Sequence, residues 1–155
     1  MCKKFDEIMT NKFQMSMIGE MNFFVELQVK QTKEGILINQ SKYAKKLINK
    51  FGIQHMKSVK IPMNTNWKVN PGTEGNFVSS TKYREIIGSL LYLTASRPDI
   101  AYAVGVCARY QSDPKEAHMD AAKRILRYLK GTPNIGLWYP ADDNFKLSEY
   151  SDSDF

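Results

Sequence analysis

Two sets of side chains in this sequence have the types and spacing to do chemistry. One is acidic: Asp152 and Asp154 stand in Tyr150-Ser-Asp-Ser-Asp-Phe155, after an alternating segment. Alternation would put both carboxylates on one face, where hard oxygen ligands suit magnesium. A two-metal centre needs further carboxylates, and none follows in the sequence, so taken alone the pair reads as a solvated acidic tail. The other set is basic: Lys42, Lys46 and Lys50 fall on one helical face, and Lys123, Arg127 and Lys130 follow at i, i+4 and i+7 beside Arg124. Such stripes suit contacts to phosphates, which hold a nucleic acid without reading its bases. For any single run, a solvated lysine face is the plainer reading.

Other catalytic chemistries find little support. His55 and His118 have no carboxylate or nucleophile beside them in sequence, so each reads as a solvated or locally bonded imidazole. Ser89, in Gly88-Ser-Leu90, falls in mid-helix rather than in a strained turn, which argues against a nucleophile elbow. No glycine-rich phosphate loop is present. Cys2 and Cys107 are far apart and form no metal-ligand spacing; Cys107, in an apolar helical run, reads as a small buried hydrophobe.

The elements that must position the basic stripes can be read from periodicity. Phe5, Ile8, Met9 and Phe13 mark a short amphipathic helix over residues 3–13. Met21 to Ile38 is rich in aromatic and β-branched residues and predicts a hairpin turning at Gly35. Ser41 is the expected N-cap of a helix burying Tyr43, Ala44, Leu47, Ile48 and Phe51, closed by Gly52 in a left-handed cap. Ile53 to Ser80 reads as a long connection. Tyr83, Ile86, Ile87, Leu90, Leu91 and Thr94 predict the next helix, and Arg97-Pro-Asp99 ends it and opens another, running to about Tyr110. A third helix is expected from an Asp113 cap, with Pro114 at its first position and Glu116 at its third, to Gly131. Ala121, Ala122, Ile125 and Leu129 should face inward on it. Two strands, 135–139 and 145–150, are expected to close the chain, and the two β regions need not meet. Tyr83, Tyr92 and Trp138 are expected in the core rather than as stacking platforms for bases.

With 155 residues, 43% of them apolar, and 22 Lys and Arg against 16 Asp and Glu, the chain has the size and composition of one domain or slightly more, carrying a net charge of +6. The charge is uneven. Seven lysines and one carboxylate, Glu34, lie between Lys33 and Lys60, whereas five carboxylates and one lysine lie between Ala141 and Phe155. The longest apolar stretch, Ile86 to Val106, is broken by Ser96-Arg-Pro-Asp99, so no membrane span is expected. The opening Met1-Cys-Lys-Lys4 lacks the pattern of a secretory leader, and the expected location is intracellular, cytoplasmic or nuclear.

Several strings, taken in order, carry a more specific resemblance. Gln40-Ser-Lys-Tyr-Ala-Lys-Lys-Leu47, Tyr83-Arg-Glu-Ile-Ile-Gly-Ser-Leu-Leu-Tyr-Leu-Thr-Ala-Ser-Arg-Pro-Asp-Ile100, Ala121-Ala-Lys-Arg-Ile-Leu-Arg-Tyr-Leu-Lys-Gly-Thr132 and Gly136-Leu-Trp-Tyr139 resemble the reverse transcriptase of copia-type LTR retrotransposons. The likeness extends from Phe13 to Asp154. It implies that residues 1–38 are the C-terminal edge of a polymerase palm with its primer-grip hairpin, 39–112 a thumb-like helical region, 113–140 a connection, and 141–155 the start of an RNase H-like domain. It also implies that Asp152 is that domain's first metal-binding aspartate. At the hairpin, Phe23-Phe-Val-Glu-Leu27 stands where the family usually reads Phe-Phe-Leu-Gly-Leu, placing a carboxylate where the family has glycine.

The expected fold is therefore α+β: an N-terminal helix and hairpin, a helical thumb- and connection-like middle, and a C-terminal strand pair, together a piece of a polymerase fold. The resemblance places the Tyr-x-Asp-Asp polymerase strand and most RNase H carboxylates outside this sequence, so no autonomous activity is expected. The implied role is to hold an RNA–DNA or DNA primer-template within a Pol polyprotein, with magnesium belonging to the parent enzyme and no cofactor to this segment. Lys42, Lys46, Lys50, Lys123, Arg124, Arg127 and Lys130 are the candidate nucleic-acid contacts. The alternatives are a non-catalytic nucleic-acid-binding module and a non-functional relic of a decayed element.

Overall fold

The computed structural model describes residues 2–15, 19–64 and 75–141. It is α+β. Helix α1 (Cys2–Lys12) leads to strands β1 (Phe23–Phe24), β2 (Leu27–Thr32) and β3 (Gly35–Asn39). Helices α2 (Ser41–Lys50) and α3 (Ser80–Leu93) follow, then a 3-10 turn (Pro98–Ile100), α4 (Ala101–Ala108), α5 (Glu116–Gly131) and strand β4 (Gly136–Pro140).

The core is helical. Leu47 and Ile48 of α2, Tyr83, Ile87 and Leu90 of α3, Val104 of α4, and Ile125, Leu126 and Leu129 of α5 are all buried in one cluster, with Ile53 and Ile100 between them. Leu47, Ile48, Ile125 and Leu129 are positions that helical periodicity assigns inward, and Leu126 joins them in the core. Cys107 is buried among them, as its apolar context implied. After α2, Gly52 at φ +68° lets the Ile53 amide bond the Ile48 carbonyl at 2.9 Å and its own amide bond Asn49 at 3.2 Å. This paired pattern closes the helix as expected and drives Ile53 into the core.

The sheet is antiparallel, in the order β1-β2-β3-β4. Here the structure corrects the sequence reading, because the two β regions do meet: β4 pairs with β3 in the register Ile36↔Tyr139, Leu37↔Trp138 and Ile38↔Leu137. Glycines at both ends permit this. A Cβ at Gly35 would lie 2.3 Å from the Tyr139 carbonyl oxygen, and one at Gly136 would lie 2.2 Å from that of Ile38. Gly35 thus serves the approach of β4, while Lys33 and Glu34 make the β2–β3 turn. The other predicted strand, 145–150, lies outside the described residues.

Register divides the sheet into two faces. Phe24, Leu27, Val29, Ile36, Ile38, Leu137 and Tyr139 share one, and Phe23, Gln28, Lys30, Leu37 and Trp138 the other. The second face turns toward α2, whose start is capped from the sheet. The Gln28 side-chain oxygen accepts from the Ser41 hydroxyl at 2.5 Å and from the Lys42 amide at 3.1 Å, and Asn39 accepts the Ser41 amide at 3.1 Å. Ser41 is therefore the first helical residue rather than the N-cap; a side chain thirteen residues earlier supplies the acceptor.

Two other expectations change. α5 begins at Glu116 with Lys115 as its cap, not Asp113, and the His118 ring supplies the bond by accepting the Lys115 amide at 2.9 Å on Nδ1. Tyr92 and Trp138 are 40% and 47% exposed, whereas Tyr83 is in the core as expected. The Tyr92 hydroxyl donates to the Val25 carbonyl at 2.5 Å, which keeps its polar end at the surface. No helix among the described residues is long and apolar enough to cross a membrane.

Candidate nucleic-acid interface

The predicted cations divide into two groups once the helices pack. On α2, each lysine of the outer stripe already has an intramolecular partner. Lys42 Nζ lies 5.0 Å from the centre of the Phe23 ring. Lys46 pairs with Glu26 at 2.6 Å, and Lys50 with Glu85 of α3 at 2.7 Å. Glu26 tips the β1–β2 turn, where Val25 and Glu26 both have positive φ, 45° and 62°. The carboxylate at the hairpin tip therefore neutralises the nearest stripe lysine, Lys46.

On α5 the stripe splits along its length. Arg127 donates from Nε to the Lys57 carbonyl at 2.7 Å, and Lys130 Nζ donates to the Gln54 and Met56 carbonyls, both at 2.7 Å. These two cations pin the segment that follows α2 against α5. Lys123 and Arg124, one turn earlier, are not used in this way. Among the described residues, Lys123 has only a 4.0 Å approach to Asp120, and Arg124 Nε is buried with no acceptor.

Two adjoining cavities flank Lys123. One, of about 520 Å³, is lined by Lys123, Arg124, Arg127 and Asp120 from α5 and by Met56, Pro62, Met63 and Asn64 from the pinned segment. The other, of about 440 Å³, lies between Lys50 and Phe51, Lys82 and Glu85 on α3, and Met119 and Lys123 on α5. Lys50, Lys82, Lys123, Arg124 and Arg127 thus line two cavities that share Lys123, with Glu85 and Asp120 as their carboxylates. Of the seven candidates, four converge here, whereas Lys42 and Lys46 stand at the hairpin and Lys130 holds backbone. Lys82 was not a sequence candidate. It precedes buried Tyr83 and is exposed on α3, but only the packing of α3 beside α5 brings it to this surface.

A buried polar cluster also escaped sequence reading, which took Arg97-Pro-Asp99 as a helix boundary. Arg97 is 1% exposed. Its guanidinium donates to both Asp99 oxygens at 2.8 and 2.7 Å, and to the Thr132 carbonyl and hydroxyl at 2.7 and 2.9 Å. The Tyr128 hydroxyl donates to Asp99 at 2.8 Å. Burial pushes the Asp99 carboxyl up, but the bonds from Arg97 and Tyr128 outweigh it and hold the group below its usual range. The cluster fastens the end of α5 to the α3–α4 junction and so fixes the direction of the basic stripe. Nucleophilic chemistry gains no support at Cys107, whose thiol is pushed up to about 11 chiefly by burial.

Asp152 lies outside the described residues. Among those described, no three His, Cys, Asp or Glu residues come together to hold a metal ion.

Residues 1–65 match a family model described as reverse transcriptase (RNA-dependent DNA polymerase). The chain is 34% identical over 147 residues to the retrovirus-related Pol polyprotein from transposon RE1 of Arabidopsis thaliana, which covers 95% of this chain and 10% of that protein. It is 31% identical to the Pol polyprotein from transposon TNT 1-94 of Nicotiana tabacum, over 94% of this chain and 12% of that one. An uncharacterized mitochondrial protein of Arabidopsis thaliana is 32% identical over 95% of this chain and 61% of its own length. The chain thus spans about a tenth of the Pol polyproteins it matches. No solved structure matches it.

Proposed function

The chain is a homologue of the Pol polyproteins of copia-type transposons and carries, in residues 1–65, the sequence of the reverse transcriptase family; on that premise we propose that it holds primer-template through the basic surface of α5 and its neighbours. The observation that carries this reading is the convergence of Lys50, Lys82, Lys123, Arg124 and Arg127 from three helices around the two cavities. Residues from separate elements, held on a rigid helical core, can follow a duplex backbone in a way that one solvated lysine run cannot. The role is positional: phosphates are gripped, and no base edge is read. By the same reading the segment makes no phosphodiester bond itself, and the purified chain is expected to show no template-dependent synthesis.

The partitioning of the cations makes the reading quantitative. Releasing counterions from Z phosphates gives a slope of about −0.9Z in log affinity against log salt for B-form DNA. Lys50 is shared with Glu85, and Arg127 with a backbone carbonyl, so about three to four effective contacts are expected, a slope of roughly −3 to −4. All seven predicted candidates acting together would give roughly −6. Fluorescence anisotropy with a labelled RNA–DNA hybrid, titrated at several salt concentrations, measures this directly. Lys123→Gln should reduce the slope by about 1 and weaken binding alike for unrelated sequences. Binding that is insensitive to salt, or absent at low salt, would overturn the proposal.

A further inference from the structure

The cavity beside α5 has more than charge. Its volume of about 520 Å³ is in the range of small-ligand sites, and it joins two unlike walls. Met56, Pro62 and Met63 form an apolar wall, and Lys123 and Arg124 a cationic one. Methionine thioethers adapt to flat aromatic rings and make favourable contacts with them.

The walls are held in place by the residues that seemed most suited to phosphate. Because Arg127 and Lys130 bond three carbonyls between Gln54 and Lys57, the Met56 end of the methionine wall is fixed against the helix. Arg124 is then the group left over. Its side chain lines the cavity, and among the described residues its Nε has no acceptor, although buried donors nearly always have one. A guanidinium on the cavity wall beside Lys123 suits an anionic oxygen brought by a ligand, and the adjacent apolar wall fits a flat, weakly polar body attached to it.

We infer that this cavity binds one unpaired nucleotide, its base against Met56 and Met63 and its phosphate on Arg124 and Lys123. The inference rests on the proposed role in holding primer-template and deepens it: beside the duplex, the surface takes a base that has left the stack, as in a single-stranded overhang. Extruding a base already unpaired costs little stacking energy, so overhangs and gaps are the natural source. A free nucleoside monophosphate has the same chemistry.

The test uses the full chain with methyl-labelled methionine, followed by NMR. Adenosine 5′-monophosphate should shift the Met56 and Met63 methyl signals saturably, inorganic phosphate should bind at least tenfold more weakly, and Arg124→Gln should weaken the nucleotide at least tenfold. Because Arg124→Gln also removes a half-buried stem, Arg124→Lys, which keeps the charge and loses the fork, gives a second reading with a smaller loss of three- to fivefold. Lys12→Gln, on α1, should change nothing. A hybrid with a single-stranded overhang that shifts the same methyls where a blunt hybrid does not would identify the strand as the source; a response to the monophosphate alone would identify the free nucleotide. Unshifted methyls with duplex binding and its salt slope intact would overturn the nucleotide site and leave the duplex reading standing. Equal affinity for phosphate and nucleotide, or an unchanged affinity in both Arg124 variants, would also overturn it. Loss of duplex binding and methyl shifts together would overturn both readings.

Discussion

Glu26 adopts φ +62° behind Val25 at +45°, a left-handed pair that costs about 1–2 kcal/mol per residue for ordinary side chains. Against this stands the bond from Lys46, whose side chain is 63% exposed, and surface pairs of that kind contribute about 0.2–1 kcal/mol. The strain is therefore the larger effect. Glu26→Gly should be neutral or stabilise the fold by up to about 1 kcal/mol, and Val25→Asn added to it should bring the total to about 1–2 kcal/mol, since Asn-Gly suits a two-residue hairpin turn. Urea titration of both variants checks this, and a clear loss of stability would mean the turn is held by something other than its backbone. A second residue, His118, sets a dependence on pH. Burial, at 2% exposure, lowers its value from the usual 6.5; nearby Lys115 adds to that effect and Asp113 opposes it. The unfolded chain then binds the proton more readily, so stability is full above about pH 6.5 and falls as pH drops from there through the lower folded value. The proton would also take the Nδ1 lone pair that accepts the Lys115 amide. Thermal melts between pH 7.5 and 5 should show this decline, and His118→Gln should flatten it. The sequence placed His118 near the start of a helix and read it as a solvated or locally bonded imidazole. Its burial against Tyr110, with ring centres 4.0 Å apart, was not legible, because it depends on how the chain returns after α4.

Among the elements, α5 depends on the cluster at its end. Arg97 is enclosed and makes bonds to both Asp99 and Thr132, so removing the carboxylate leaves a buried cation without a counter-charge. Loss of one partner of a fully buried pair costs about 3–5 kcal/mol. Asp99 keeps 29% exposure, so Asp99→Asn is expected to cost less, about 2–3 kcal/mol, by chemical denaturation. It should also weaken duplex binding, because α5 carries most of the basic surface. The helices were largely legible because burial repeats along each of them at helical spacing, and their ends less so because caps came from remote side chains such as Gln28. Strand β4 was legible as a strand but not as a partner of β3, since Gly35 and Pro140 pair across most of the chain and no local pattern encodes that. The glycines are the physical trace of that pairing. Gly35→Ala would set a methyl within 2.3 Å of the Tyr139 carbonyl, and it should unzip β4. Hydrogen exchange at Leu137 and Tyr139 should then rise toward the rate of unprotected amides while α2 to α5 keep theirs.

At the scale of the whole molecule, the buried core belongs to the helices, and among the described residues the sheet keeps large apolar side chains at the surface. Phe24, Ile36 and Tyr139 on one face are 56%, 38% and 44% exposed, and Phe5, Ile8 and Phe13 of α1 are exposed as well. Phe23 and Val25 near the hairpin tip are also exposed, at 48% and 58%. Exposed apolar surface of this kind favours association, which the net charge of +6 opposes by repulsion. The two surfaces should therefore answer salt in opposite directions. Screening weakens the repulsion between copies and strengthens self-association, whereas it removes the counterion gain on which duplex binding depends. Sedimentation velocity between about 50 and 500 mM salt should show the chain shifting toward larger species as its affinity for a hybrid falls. Ile36→Lys should suppress the first effect and leave the second unchanged, since it charges that sheet face without touching α5. If instead both surfaces lost function together, the sheet and the basic helices would be one interface, and the apolar face would belong to the nucleic-acid site.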